Sequence, residues 1–153
     1  MAMKELQRAI ESSLASASPL AQRIYANERW SAPSVQRFVN RVMAATVATV
    51  RDDGTPHAAV VLTACMKGTL HFTATIGSAL LHNLERRPAI AMTVTDRDHD
   101  LTVVADGDRL GKASELPDIV RSLHRLSPRG QFTPRDWDGY LYVVRIQRIF
   151  LSR

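Results

Sequence analysis

At 153 residues, with 45% hydrophobic and 23% charged residues, the chain has ordinary globular composition and the length of one domain. No run approaches the roughly 20 apolar residues that span a bilayer, and the start MAMKELQRAIESSL is too charged for a signal peptide. The net charge of +5 comes from seventeen Arg and three Lys scattered among acidic residues, with no block of like charge and no nucleic-acid-binding motif. Neither a membrane nor a nucleic acid is therefore expected as a partner. Cys65 is the only cysteine, so no internal disulfide forms and a buried thiol in a cytoplasmic protein is expected.

Helices come first. Leu6, Ile10 and Leu14 recur at i, i+4 and i+8 within Met3 to Leu14. Ser18 and Pro19 form a cap and first turn for a second helix, expected to run to about Arg29. A third opens at Ser31-Ala32-Pro33, with Val35, Phe38, Val39 and Val42 on one face. These three read as a structural arm, packed on the rest of the chain or on a neighbouring subunit.

The period then shortens to that of strands. Val42 to Val50 is rich in β-branched residues and ends at Asp53-Gly54, a hairpin signal, before a returning strand from Pro56 to Cys65. Lys67-Gly68 turns the chain into Thr69 to Thr75. Gly77-Ser78 opens a short helix from Ala79 to Arg86 with Leu80, Leu81 and Leu84 inward, and Pro88 stops it. Strands follow at Ala89 to Thr95 and Leu101 to about Leu110, then a helix from Glu115 to Leu126 facing inward through Leu116, Ile119, Val120 and Leu123. A loop from Ser127 to Asp138 leads into a last strand, Tyr140 to Leu151. Hairpin-linked strands with few helices between them exclude a doubly wound parallel sheet. The order predicts an α+β fold: an antiparallel β-barrel with peripheral helices, in one domain.

Sites are harder to read. No nucleophile elbow, zinc motif, paired-cysteine motif or phosphate loop occurs, so no catalytic residue and no metal site is assigned. The Asp96-Arg97-Asp98-His99-Asp100 cluster reads as a solvated hairpin tip rather than a cation site. His57 and His71 lie within strands, where satisfied structural histidines are expected, whereas His82 shares a helix face with Ser78. A strand ending Thr73-Ala74-Thr75, followed by Gly77-Ser78 at a helix start, brings hydroxyls and free backbone N–H groups together in a manner suited to phosphate.

From about Val42 to Arg109 the chain resembles the FMN-binding split-barrel family, of which pyridoxamine 5′-phosphate oxidase is the best-known member. The stretches that carry the resemblance are ATVATVRDDGTPHAAVVL, GTLHFTAT and GSALLHNLERRPAIAMTV. The helical arm, residues 1–41, lies outside the resemblance, which implies an antiparallel split β-barrel that binds flavin over 42–153 and a homodimer holding two FMN molecules at its interface. Val60, Val61 and Leu62 would offer backbone groups to the isoalloxazine edge, Thr73, Thr75 and Ser78 would face the ribityl chain and phosphate, and His82 stands where relatives often have a basic residue. The chain departs from the pattern at Ala79-Leu80, which replaces a phosphate-gripping cationic pair, and at Ala59 and Ala64, which replace an Arg and a Lys. Pyridoxamine-phosphate oxidation itself is therefore not expected. The resemblance implies a flavin-dependent oxidoreductase acting on an unidentified small molecule. Deazaflavin (F420) or haem, with His82 a candidate axial ligand, are alternative cofactors, and a cofactor-less dimeric binding protein is the non-enzymatic alternative.

Overall fold

The computed structural model describes residues 2–25, 30–127 and 137–152. Helices α1 (Ala2–Ala15), α2 (Pro19–Tyr25) and α3 (Ala32–Val42) precede strands β1 (Ala44–Val50), β2 (Pro56–Met66) and β3 (Thr69–Thr75). Helix α4 (Ala79–Arg86) leads to β4 (Ala89–Thr95) and β5 (Asp100–Lys112), a single 3₁₀ turn at Ala113–Glu115, helix α5 (Pro117–Leu126) and β6 (Gly139–Ser152). The expected end of the second helix near Arg29, and most of the loop before β6, lie outside the described residues.

All six strands pair antiparallel and close into a barrel in the order β1-β2-β3-β6-β5-β4. This is the α+β barrel with surrounding helices that the element order predicts. Alternation along the strands sends Ala45, Val47, Phe72, Ala74, Met92, Val103 and Tyr142 inward to one core. Phe72 and Tyr142 stack within it at 5.2 Å. A smaller cluster of Met43, Ala64, Leu123 and Leu141 lies on the opposite side of the barrel wall, under α5. Of the four residues expected to form the buried face of α5, only Leu123 is fully buried, while Leu116, Ile119 and Val120 are half-covered.

Local chemistry explains the boundaries. Ser31 and Ser34 cap α3 reciprocally, and Met43 ends it in the left-handed region (φ 54°), so β1 begins at Ala44 rather than Val42. The β1–β2 turn closes through Gly54 at φ 87°, with the Asp53 carboxylate accepting from the Thr55 N–H (3.0 Å) and hydroxyl (2.6 Å). The N-terminal helices pack on their own barrel. The Ser13 hydroxyl on α1 accepts from the Ile149 N–H of β6 (3.0 Å), and Asn40 on α3 clamps the Cys65 backbone of β2, donating to its C=O (2.8 Å) and accepting from its N–H (2.7 Å). Among the described residues no helix is long and apolar enough to cross a membrane.

Candidate cofactor cleft

The barrel is closed but unevenly laced. Seven residue pairs join β1 to β2, from Ala44–Leu62 to Val50–Pro56, whereas β2 and β3 pair only from Thr63–Phe72 to Met66–Thr69. Beyond Thr63 the two strands part: Pro56–Leu62 stay with β1, while Thr73, Ala74 and Thr75 pair with Leu141, Tyr140 and Gly139 of β6. A strand directs the backbone groups of alternate residues to opposite edges, so every second residue of the 56–62 segment turns its N–H and C=O away from β1, into the gap. Helix α4 packs against β1, β2 and β3 at this parting.

The strand period then sorts the predicted residues. Cys65 and Val61 belong to the inner cluster and Ala64 and Leu62 to the outer, so Val61 points into the barrel and Val60 and Leu62 point out. Val60 is 74% exposed, the most exposed large apolar side chain among the described residues. On β3 the inward residues are Leu70, Phe72 and Ala74, which leaves Thr73 and Thr75 on the outer face. Four of the seven predicted residues, Val60, Leu62, Thr73 and Thr75, therefore flank the parting on one side of the wall.

Ser78 is the N-cap of α4. Its Oγ accepts from the Leu81 N–H at 3.1 Å. Thr75 Oγ1 likewise accepts, from the indole N–H of Trp137 at 3.0 Å. Each hydroxyl used in this way keeps its own proton to donate. His82 lies elsewhere: its Nε2 is 2.9 Å from Asp52 Oδ2 at the β1–β2 turn, and Arg86 Nε is 2.9 Å from Asp52 Oδ1. The His82 hydrogen bond, with Arg86 and Arg87 adding to it, holds the Asp52 carboxyl below the usual carboxylate range. An open hollow of about 330 Å³ lined by Arg51, Asp52, Asp53, Ala79, His82 and Asn83 marks this side of α4. His82 thus points toward the β1–β2 turn.

The departures at Ala79 and Leu80 also separate. Ala79 is exposed in the first turn of α4, and Leu80 is 2% exposed in the core. The Asp96 cluster closes the β4–β5 turn, where Asp96 Oδ1 accepts from the N–H groups of Asp98 and His99, both at 2.8 Å, and Oδ2 accepts from Arg41 on α3 at 2.7 Å. Two features escaped the sequence reading. Trp137 reaches Thr75 across 62 residues, and Asn83, 2% exposed, donates to the buried Thr49 hydroxyl at 3.0 Å beneath α4. Neither pair has a local spacing by which it could have been found.

A barrel parted between its second and third strands, with a capped helix at the opening, is a split barrel. Residues 31–136 match the profile of the pyridoxamine 5′-phosphate oxidase family, and the chain belongs to that family. Among solved structures it is similar to an F420 reductase at 26% identity, covering 74% of this chain and 94% of that one with a TM-score of 0.60. It is also similar to a conserved hypothetical protein of Mycobacterium tuberculosis (18% identity, 83% and 87% covered, TM-score 0.68). The haem storage protein HutZ of Vibrio cholerae is a third (17%, 78% and 93%, TM-score 0.59). The last two likenesses speak to the fold alone. No curated protein matches the chain significantly.

Proposed function

We propose that this chain is a flavin-dependent oxidoreductase acting on a small molecule, with FMN lying along the parted edge of β2. The edge of residues 56–62 turned away from β1, which lacks a partner strand and faces Thr73 and Thr75 across the parting, carries this reading. Such an edge offers donors and acceptors at fixed spacing to the polar rim of a planar heterocycle. Val60, Val61 and Leu62 would supply it, and the hydroxyl protons of Thr73, Thr75 and Ser78, with the first N–H groups of α4, would hold the polyol and phosphate. A bound flavin would supply the redox chemistry, while the protein orients it and limits access of water.

A second reading, a deazaflavin cofactor, is favoured by the 26% identity to an F420 reductase. Haem fits less well, because the Nε2 of His82 is engaged by Asp52 rather than free for iron.

A homodimer would complete the site. Outside the barrel, the rows Val60–Thr46–Thr93–Thr102 and Ala58–Ala48–Ala91–Val104 run across β2, β1, β4 and β5 without a charged side chain. Val60 and Val104 are exposed on this face at 74% and 40%, which suits a second copy. The test is an absorption spectrum of the purified protein, then titration with FMN, F420 and haemin and light scattering of the loaded sample. Flavin uptake in a dimer supports the proposal. A Soret band with haemin alone, or no uptake of any of the three, overturns it.

A further inference from the structure

Thr75, at the end of β3, is tied from three directions. Its carbonyl oxygen accepts from the Ser78 N–H at the cap of α4 (3.1 Å), it stands opposite Gly139 in the β3–β6 ladder, and its Oγ1 accepts from the Trp137 indole N–H at 3.0 Å. The indole is itself held in place. A Cβ at Gly139 would overlap the Trp137 ring and the Ala74 carbonyl oxygen, so the ring lies against backbone that only glycine leaves bare. The Asp138 carbonyl, between the two residues, accepts from the Ile76 N–H at 3.1 Å.

Burial does not require the bond between Trp137 and Thr75. Thr75 is exposed, and a hydroxyl that water can reach needs no protein partner. What the bond does is fix a direction. A threonine hydroxyl has one proton and two lone pairs, and once the indole N–H takes a lone pair the proton turns away from the indole. Thr75 lies with Val60, Leu62 and Thr73 on the outer face that flanks the parting, where a ligand oxygen could accept that proton.

We propose that Trp137 is a positioning residue of the cofactor site: its indole orients the Thr75 hydroxyl to donate to an oxygen of the polyol-phosphate chain. This rests on the cofactor reading above. The indole acts through Thr75 and not by stacking on the cofactor. Without the indole N–H the hydroxyl is free to take any of its staggered positions, and the ligand must order it on binding.

A double-mutant cycle on flavin affinity, read by quenching of flavin fluorescence, tests this. Thr75→Val removes the donor and should weaken FMN binding at least fivefold. Trp137→Phe keeps a ring over Gly139 without the N–H, and should weaken binding roughly threefold or more, since about three hydroxyl positions open where one was held. In the Thr75→Val background the same Trp137→Phe change should alter affinity less than about 1.5-fold, because its effect passes through the hydroxyl. Thr75→Ser keeps the hydroxyl and should keep the dependence on Trp137. The same pattern with riboflavin places the ligand oxygen on the polyol, and a pattern confined to FMN places it on the phosphate. Unchanged affinity in either single variant, or an equal loss from Trp137→Phe with and without the Thr75 hydroxyl, overturns the assignment while leaving the cofactor reading intact. The equal loss is what a purely structural ring, or one stacked on the flavin, would give. Wild-type protein that takes up neither FMN nor F420 overturns both.

Discussion

Ala79 and Leu80 are adjacent in sequence and opposite in environment, which makes them a paired test of where a phosphate would sit. Leu80 is 2% exposed beneath α4 and packs in the main core, whereas Ala79 is exposed in the first helical turn. Truncating a buried leucine typically costs about 2–5 kcal/mol, and for a chain of this size each kcal/mol moves the melting midpoint by roughly 2–4 °C. Leu80→Lys must lose that packing and also find solvent for an ammonium group, so a fall of about 5–20 °C is expected with no gain in affinity for any flavin. Ala79→Arg disturbs no packing and should leave the midpoint within about 2 °C of wild type. If the phosphate of FMN lies at the α4 N-terminus, the new guanidinium forms a hydrogen bond between charged groups worth about 1.5–3 kcal/mol. That is roughly a 10- to 150-fold tighter complex, measured by quenching of flavin fluorescence. Riboflavin lacks the phosphate and should gain less than about twofold. Equal tightening of both flavins by Ala79→Arg, or none for either, would refute this placement.

Other consequences are open to measurement. Asn40→Ala removes both hydrogen bonds to the Cys65 backbone and leaves two groups of β2 unpaired; thermal melts should show a loss of about 2–3 kcal/mol. The Cys65 thiol is 1% exposed, and burial pushes its pKa up to about 12. Native protein at pH 8 should therefore resist iodoacetamide, with modification following the unfolding curve. Asp96 is held far below the usual carboxylate range, first by its bond from Arg41 and then by the N–H groups of its turn. A depressed carboxylate stabilises the fold above its unfolded pKa, and that contribution fades as pH falls through the folded value. Asp96→Asn should therefore flatten the decline of melting temperature below about pH 4 relative to wild type, and an unchanged acid limb would count against the Arg41 tie.

Much of this fold could be read along the chain because its determinants are local. The hairpin at Asp53-Gly54, the serine caps of α3 and α4 and the strand period are each set by residues a few positions apart. Errors arose where backbone conformation overrode composition: β-branched residues extend back to Val42, but Met43 in the left-handed region delays β1 to Ala44. The site divides in the same way. Ser78 was visible as a cap because the motif spans four residues. Helical spacing groups His82 with Ser78, and its contact with Asp52, 30 residues away, turns it toward the β1–β2 hairpin.

The parting of β2 from β3 accounts for several otherwise separate observations. It exposes one backbone edge and gives α4 a place to dock. Edge strands left open invite unwanted pairing, and proteins usually blunt them with charge, proline or a covering element. Here Pro56 opens the strand and α4 covers part of the gap, but residues 58–62 are Ala-Ala-Val-Val-Leu, which offers no charged guard. A sequence that leaves such an edge undefended makes sense if something else covers it in the working protein. A planar cofactor would cover the edge and a second copy of the chain the adjoining Val60 face, so Val60→Asp should weaken dimerisation and flavin affinity together. A variant that becomes monomeric yet binds flavin as tightly as wild type would show that the edge needs no partner subunit.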